Sequence, residues 1–196
     1  MFFDLIGFED RGSLFLWEKI NQKTDYLSII FYENRVNIKK ISDSVFEFGF
    51  LITFEYESDM YKKQFTVLIH QDLNFFLLET ENNALFRTQI IALLNKNFEN
   101  ELYFFQKVLT IEEEWMLLKL FEKYNELIIS SDEGLIKVED ISGKEKFPIL
   151  SSIIDVTIKD KIFSVQFFNN GFNFPPRMKE FEIFSFLNQS KDVLAK

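Results

Sequence analysis

Only one side chain in the sequence, that of His70, titrates near neutral pH by its nature. A histidine can act as a general acid or base or bind a metal, but catalytic triads and zinc sites need further His or Cys residues. The chain has 1 His and no Cys, so both kinds of site lack the residues they require. His70 ends a predicted strand, and we expect it to be partly exposed and without a catalytic role.

Motifs for nucleotide binding, nucleophilic catalysis and zinc hydrolysis are also absent, including GxGxxG, the P-loop, GxSxG and HExxH. Paired carboxylates need no such motif to hydrolyse glycosides or to bind Mg²⁺. The triplet Glu112–Glu114 lies at a predicted helix start, where negative charge compensates the helix dipole. We therefore predict no catalytic residue, no metal site and no cofactor, and we do not expect an enzyme.

Two features of the sequence favour contact with a protein partner. The first is an acidic cluster at the tip of a predicted β-hairpin, formed by Glu55, Glu57 and Asp59. Such clusters accelerate association with an oppositely charged protein. The second is Trp115, which lies at the boundary of the polar side of a predicted helix and which we expect to be a partly exposed anchor. These four residues form the predicted binding set.

The overall charge indicates the kind of partner. The formal net charge is −9, whereas nucleic-acid binding depends on clustered Lys and Arg. We therefore predict a basic protein partner and no direct contact with nucleic acid. No apolar run approaches the roughly 18 residues that span a bilayer, and the start of the sequence lacks a basic signal region. We expect a cytoplasmic location and no membrane contact, and the oligomeric state is not predicted.

The segment 110–131 shows the longest helical pattern in the chain. Thr110 and Glu113 have the spacing of a capping box, in which each side chain accepts a hydrogen bond from an otherwise unpaired N–H. Apolar residues then recur on one face of the helix at Leu117, Leu120, Phe121, Tyr124, Leu127 and Ile128. The pattern predicts a central helix over about 110–131.

Strand patterns dominate the sequence before this helix. Residues 45–56 alternate, with a large apolar side chain at every even position, which predicts one strand with a buried face. Neighbouring strand patterns cover 26–32, 36–41 and 61–70, and residues 33–35 suit a hairpin connection between the first two. A nearly all-apolar run over 73–79 predicts a strand covered on both faces. The cluster 81–83 supplies an N-cap for a following helix, so a β-meander closed by a helix is expected.

Three other segments complete the prediction. Residues 14–20 fit a strand or a short helix, and we favour the strand. Residues 99–109 also fit both, and we favour the helix. Near the C-terminus, residues 153–168 have the pattern of a second hairpin with a turn at Asp160-Lys161, and Pro175-Pro176 can begin a last helix.

Together these elements predict an α+β fold, in which an antiparallel β-meander packs against a few helices. A long central helix and a second, C-terminal hairpin plus helix belong to this fold. We predict a single domain over 1–196. The alternative is two halves, 1–98 with the meander and a helix, and 99–196 with helix, hairpin and helix.

Acidic charge and the absence of catalytic motifs are shared with two groups of inhibitory proteins. In these bulk properties the chain resembles bacterial toxin-immunity proteins and phage-encoded inhibitors of host defence, which implies a toxin or a defence nuclease as the basic partner. We therefore favour a non-catalytic protein that docks on and inhibits such a partner. One alternative is a carboxylate-dependent hydrolase or small-ligand-binding domain with a pocket between sheet and central helix. The other is a cytoplasmic secretion or assembly chaperone with an exposed apolar groove.

Overall fold

The structure is a computed structural model that describes residues 1–9, 11–23, 26–31, 34–121, 123–131, 134–139 and 142–195. Strands account for most of the regular elements, and helices cover them. In chain order the elements are β1 (Phe2–Glu9), α1 (Gly12–Gln22), β2 (Tyr26–Phe31), β3 (Asn34–Phe46), β4 (Gly49–Ser58), β5 (Tyr61–His70), β6 (Phe75–Glu79), α2 (Ala84–Asn97), β7 (Tyr103–Gln106), α3 (Ile111–Phe121), β8 (Tyr124–Ser131), β9 (Gly134–Lys137), β10 (Ile149–Ile158), β11 (Lys161–Phe168), β12 (Gly171–Asn173) and α4 (Glu180–Leu194).

The strands form one 12-stranded sheet with β1 near its middle. The order along the sheet is β2-β3-β4-β5-β6-β1-β12-β11-β10-β8-β9. One side of β1 pairs with β6, and the other side is shared by β12 near the start of β1 and by β7 near its end. Because β1 bonds to strands from both parts of the chain, it joins them into a continuous sheet.

The helices of the two parts of the chain, 1–98 and 99–196, lie on opposite faces of the sheet. Successive residues of β1 show this division, since Leu5 belongs to one buried cluster and Ile6 to the other. The cluster around Ile6 includes residues of α1 and α2, and the cluster around Leu5 includes residues of α3 and α4. None of the described helices is long and apolar enough to cross a membrane.

The α+β class and the antiparallel meander are confirmed. The predicted face of β4 is buried, with Phe50, Ile52, Phe54 and Tyr56 all in the core under α1 and α2. The Trp17 ring of α1 stacks on Phe50, with 4.5 Å between ring centroids. All four apolar residues of β6 are buried, as expected of a strand covered on both faces. Large alternating side chains therefore determine this part of the fold.

The predicted strand over 45–56 is wrong in one respect, because the chain reverses inside it. The strand β3 ends at Phe46, and Gly49 pairs with Phe46 across a two-residue turn. A two-residue turn preserves an alternating pattern in the sequence, and Glu47-Phe48 contains none of the usual turn residues. The apolar residues therefore continue at even positions through the turn, but they lie on one face of the sheet before the turn and on the other face after it.

The predicted central helix is too long. The helix α3 ends at Phe121, Glu122 lies outside the described residues, and β8 occupies Tyr124–Ser131. Leu127 and Ile129, two residues apart, are both buried as in a strand. The strand β8 pairs with β10, a long-range partner that local periodicity cannot show. The predicted second hairpin, β10–β11, and the C-terminal helix α4 are present, but the hairpin turns at Lys159-Asp160 rather than at Asp160-Lys161.

Three further boundaries differ from the prediction. Residues 14–20 belong to α1 rather than to a strand, and the segment 99–109 contains the short strand β7 rather than a helix. The strand β7 pairs with β1, and this pairing overrides the ambiguous local pattern. The helix α4 begins at Glu180, because residues 175–178 form a turn closed by the Met178 N–H and the Pro175 carbonyl at 2.9 Å.

Candidate functional site

The predicted acidic residues lie on the β4–β5 hairpin, a stiff ribbon of paired strands. Ten cross-strand pairs join the two strands, from Gly49 with His70 to Ser58 with Tyr61. The Ser58 hydroxyl donates to the Tyr61 carbonyl at 3.3 Å. Asp59 and Met60 form the two-residue turn at the end of this ribbon.

Helix α2 supports the hairpin from one face. The Tyr56 hydroxyl donates to Gln89 Oε1 at 2.9 Å, and the Tyr56 ring packs edge-on against Phe86 and Tyr61. Burial raises the pKa of Tyr56, so its hydroxyl keeps the proton that it donates. The Lys63 ammonium reaches Glu81 at 3.1 Å. These contacts fix the orientation of the hairpin end relative to the helix.

The three predicted carboxylates do not have the same surroundings. Glu55 is half-buried and forms an ion pair with Lys62 at 2.9 Å. The hydrogen bond from Lys62 to Glu55, together with the charges of Glu55 and Glu57, raises the pKa of Lys62. Glu57 and Asp59 are exposed, and neither forms an ion pair with any residue that the structure describes. Glu57 and Asp59 therefore carry exposed negative charge outside any ion pair of the described residues, although Glu57 lies opposite Lys62 in the hairpin.

Two apolar residues at the end of the hairpin were missed by the sequence prediction. Met60 is 86% exposed and Tyr61 is 52% exposed. A Met in a two-residue turn is the signal that could have identified them, since such turns favour Gly, Asn and Asp. We define the hairpin-tip surface as Glu57, Asp59, Met60 and Tyr61. It combines an exposed thioether and a phenol ring with two free carboxylates.

The predicted exposure of Trp115 is wrong. The side chain is only 2% exposed, and its indole N–H donates to the Phe147 carbonyl at 2.8 Å. The segment before β10 covers this flank of α3, and such a long-range contact leaves no mark in helical periodicity. Trp115 lies in the core on α3, apart from the β4–β5 hairpin, so the structure does not bring it together with the three acidic residues.

His70 is buried, contrary to the expected partial exposure. Its Nδ1 accepts a hydrogen bond from the Asp72 backbone N–H at 3.2 Å, and its ring lies over Phe48 with 6.2 Å between centroids. Burial lowers the pKa of His70 to about 4. The ring is therefore neutral at physiological pH and is held within the fold.

A surface concavity of about 310 Å³ lies beside the start of α3, where a small-ligand pocket was considered. Glu112 and Glu113 both line it. However, Glu113 accepts from the Thr110 N–H at 2.7 Å and pairs with Lys107 at 3.2 Å. Its carboxylate thus completes the predicted capping box. Within the described residues, no three His, Asp or Glu side chains come together as metal ligands.

The geometry therefore isolates the hairpin-tip surface as the candidate site. It lies at the end of a paired two-stranded ribbon, and it combines two exposed carboxylates with the most exposed large apolar side chain of the described residues. No protein-family model matches the chain, and no curated protein matches it at a significant level. The functional conclusion consequently rests on the contacts of this chain's own residues.

Proposed function

We propose that the protein is a non-catalytic acidic binding protein, which docks on and inhibits a basic protein partner through the hairpin-tip surface. One observation carries this proposal. Met60, which is 86% exposed, lies with Asp59 in the two-residue turn of the hairpin, and Glu57 lies two residues before Asp59. Tyr61, the next residue, is 52% exposed, so two adjoining apolar side chains beside the acidic residues can supply the anchor of an interface.

The two chemical components of the surface have different roles in binding. Glu57 and Asp59 attract a basic partner over several ångströms and increase the rate of encounter. Met60 then enters an apolar pocket of the partner, since its flexible thioether adapts to irregular shapes. Enzymes that act on nucleic acids carry clustered Lys and Arg, so a nuclease or a similar toxin is the class of partner that this surface fits.

Affinity capture from the native host with charge-reversed variants tests the proposal. In the test variant, Glu57→Lys and Asp59→Lys change the net charge from −9 to −5. The control variant has the same change in charge at Glu18→Lys and Asp192→Lys, two exposed positions on α1 and α4. We expect wild type and control to retain a basic protein that the test variant loses. Equal retention by all three proteins, or an acidic partner, would contradict the proposal.

Kinetics with the captured partner then separate the anchor from the charges. We expect Met60→Ala to increase the dissociation rate roughly 10- to 30-fold and to leave the association rate nearly unchanged. Ile162→Ala is the matched control, because Ile162 is also an exposed apolar residue next to a hairpin turn. Wild-type dissociation of the Met60→Ala variant would exclude Met60 as an anchor.

A further inference from the structure

Two consecutive residues of α3 hold the chain segment that leads into β10. The Glu114 Oε2 atom accepts the backbone N–H of Ile149 at 2.8 Å. The neighbouring Trp115 indole N–H donates to the Phe147 carbonyl at 2.8 Å. We call residues 142–149, which end at the first residue of β10, the covering segment. Both bonds connect it to the same flank of α3, and the segment keeps Trp115 out of water.

The Glu114 carboxyl is buried and forms no ion pair with any cation of the described residues. Its residue is 1% exposed, and its only hydrogen bond in the described residues is the one from Ile149. On its own helix, the charge that acts on Glu114 is that of Glu113, which pairs with Lys107 at 3.2 Å. On the covering segment, Glu145 pairs with Lys119 at 3.8 Å, and Lys146 lies over the Phe147 ring at 5.0 Å.

These surroundings favour the protonated carboxyl. A buried carboxylate loses its hydration, and a single N–H does not replace it. Burial, with a contribution from the Glu113 charge, raises the pKa of Glu114 to about 7, and the Ile149 N–H opposes this shift only in part. When the covering segment opens and water reaches Glu114, the pKa returns towards the ordinary value of a glutamate, 4.5.

We propose that Glu114 is a proton-dependent latch, which holds the covering segment on α3 while its carboxyl is protonated and weakens when the carboxyl ionises. The pH range follows from the two pKa values. Below the open-state value both states are protonated and the latch is strongest. Between the open-state and closed-state pKa values the carboxyl is ionised in the open state but still protonated in the closed state, so opening increases with pH. Above the closed-state value both states are ionised and the dependence ends.

Amide hydrogen exchange of the full chain between pH 5 and 7.5 tests the latch. After correction for the intrinsic rate, we expect the protection of the Ile149 N–H to fall about 50-fold over this range. In Glu114→Gln the side chain keeps an oxygen acceptor but cannot ionise, so we expect protection that is independent of pH. Glu112→Gln, on the exposed side of the same turn, should behave as wild type.

A second measurement does not depend on the stability of any variant. The ¹³C chemical shift of the Glu114 carboxyl in wild type should titrate near pH 7, and Trp115 fluorescence should shift to the red as the covering segment opens. A titration of Glu114 near pH 4.5, or protection of Ile149 that is constant from pH 5 to 7.5 in wild type, would overturn the proposal. The same pH dependence in Glu114→Gln would also overturn it.

Discussion

The two parts of the chain, 1–98 and 99–196, have the same order of elements. They differ in the hydrogen-bond partners that surround a buried carboxyl. Each part runs strand, helix, five strands, helix. In the first part, Asp4 of β1 is buried and receives bonds from Arg87 at 2.7 Å, from Thr80, and from Asn170 of the second part at 3.1 Å. In the second part, Glu114 of α3 accepts one hydrogen bond from the residues that the structure describes, the one from the Ile149 N–H.

The comparison shows two ways in which a buried carboxyl can be stabilised, by bonds from neighbouring groups or by a proton. Burial raises the pKa of both carboxyls. At Asp4 the hydrogen bond from Thr80, the charge of Arg87 and the bond from Asn170 oppose this effect of burial in part. At Glu114 no cation is present among the described neighbours, so a proton neutralises the carboxyl. Asp4 is therefore bonded to groups from both parts of the chain, including the Arg87 cation, whereas the proposed latch at Glu114 depends on a proton.

The largest expected effect tests whether the two parts fold as one unit. Phe50→Asp places an unpaired charge in the core under α1, and Val156→Asp does the same in the core under α3 and α4. We expect each change to cost more than about 4 kcal/mol and to abolish soluble expression of the whole chain. Ile162→Asp, at an exposed position, is the control. A folded fragment that survives either core variant would show that the parts are independent.

Removal of the cation at the Asp4 junction should have the next largest effect. Arg87→Ala leaves the Asp4 carboxylate buried without its charged partner, which costs about 3–5 kcal/mol. Urea denaturation measures this loss. Lys62→Ala removes a comparable ion pair with Glu55 at the surface, and there we expect little or no change. Equal stability of the two variants would mean that Asp4 does not need Arg87.

Glu114→Gln tests the difference between Asp4 and Glu114 through the pH dependence of the free energy of unfolding. The pKa of Glu114 is raised in the fold, so its contribution to stability is greatest at low pH and is lost as pH rises towards 7. We expect the free energy of unfolding of wild type, relative to the variant, to fall by about 2 kcal/mol between pH 5 and 7.5. His70 acts in the opposite direction, because its pKa is lowered. The difference between the two proteins removes the His70 contribution, and a constant difference would refute the assignment.

The smallest expected effects compare one helix cap in each part. Asn83 Oδ1 accepts the Phe86 N–H at 3.0 Å at the start of α2, and Thr110 Oγ1 accepts the Glu113 N–H at 3.2 Å at the start of α3. Asn83→Ala and Thr110→Ala should each cost about 1 kcal/mol and lower the melting temperature by about 2–4 °C. An unchanged melting curve in either variant would show that its cap does not stabilise the native state.

Features encoded by neighbouring residues were predicted correctly from the sequence. The Thr110–Glu113 capping box depends on two residues three positions apart, and both of its hydrogen bonds are present. The buried face from Phe50 to Tyr56 follows from strict alternation. The position of Glu57 and Asp59 at an exposed hairpin end follows from turn chemistry. In each case the physical cause acts within a few residues of the chain.

Features that depend on distant partners were not predicted. Tyr124–Ser131 fits helical spacing, but pairing with β10 makes it a strand. Trp115 fits the boundary of a helix surface, but the covering segment buries it. The role of β1 as the junction of both parts requires pairing with β6, β12 and β7. Local periodicity contains no information about these contacts.

The sequence by itself therefore determined the class of the fold, the caps of two helices and the acidic character of one hairpin. Only the tertiary structure decided which charges remain free. It neutralises Glu55 with Lys62 and Asp4 with Arg87, while it leaves Glu57 and Asp59 in water and Glu114 in the core. The physical reason is that the state of a charge depends on the dielectric and the partners around it, and the folded chain brings these together from distant positions.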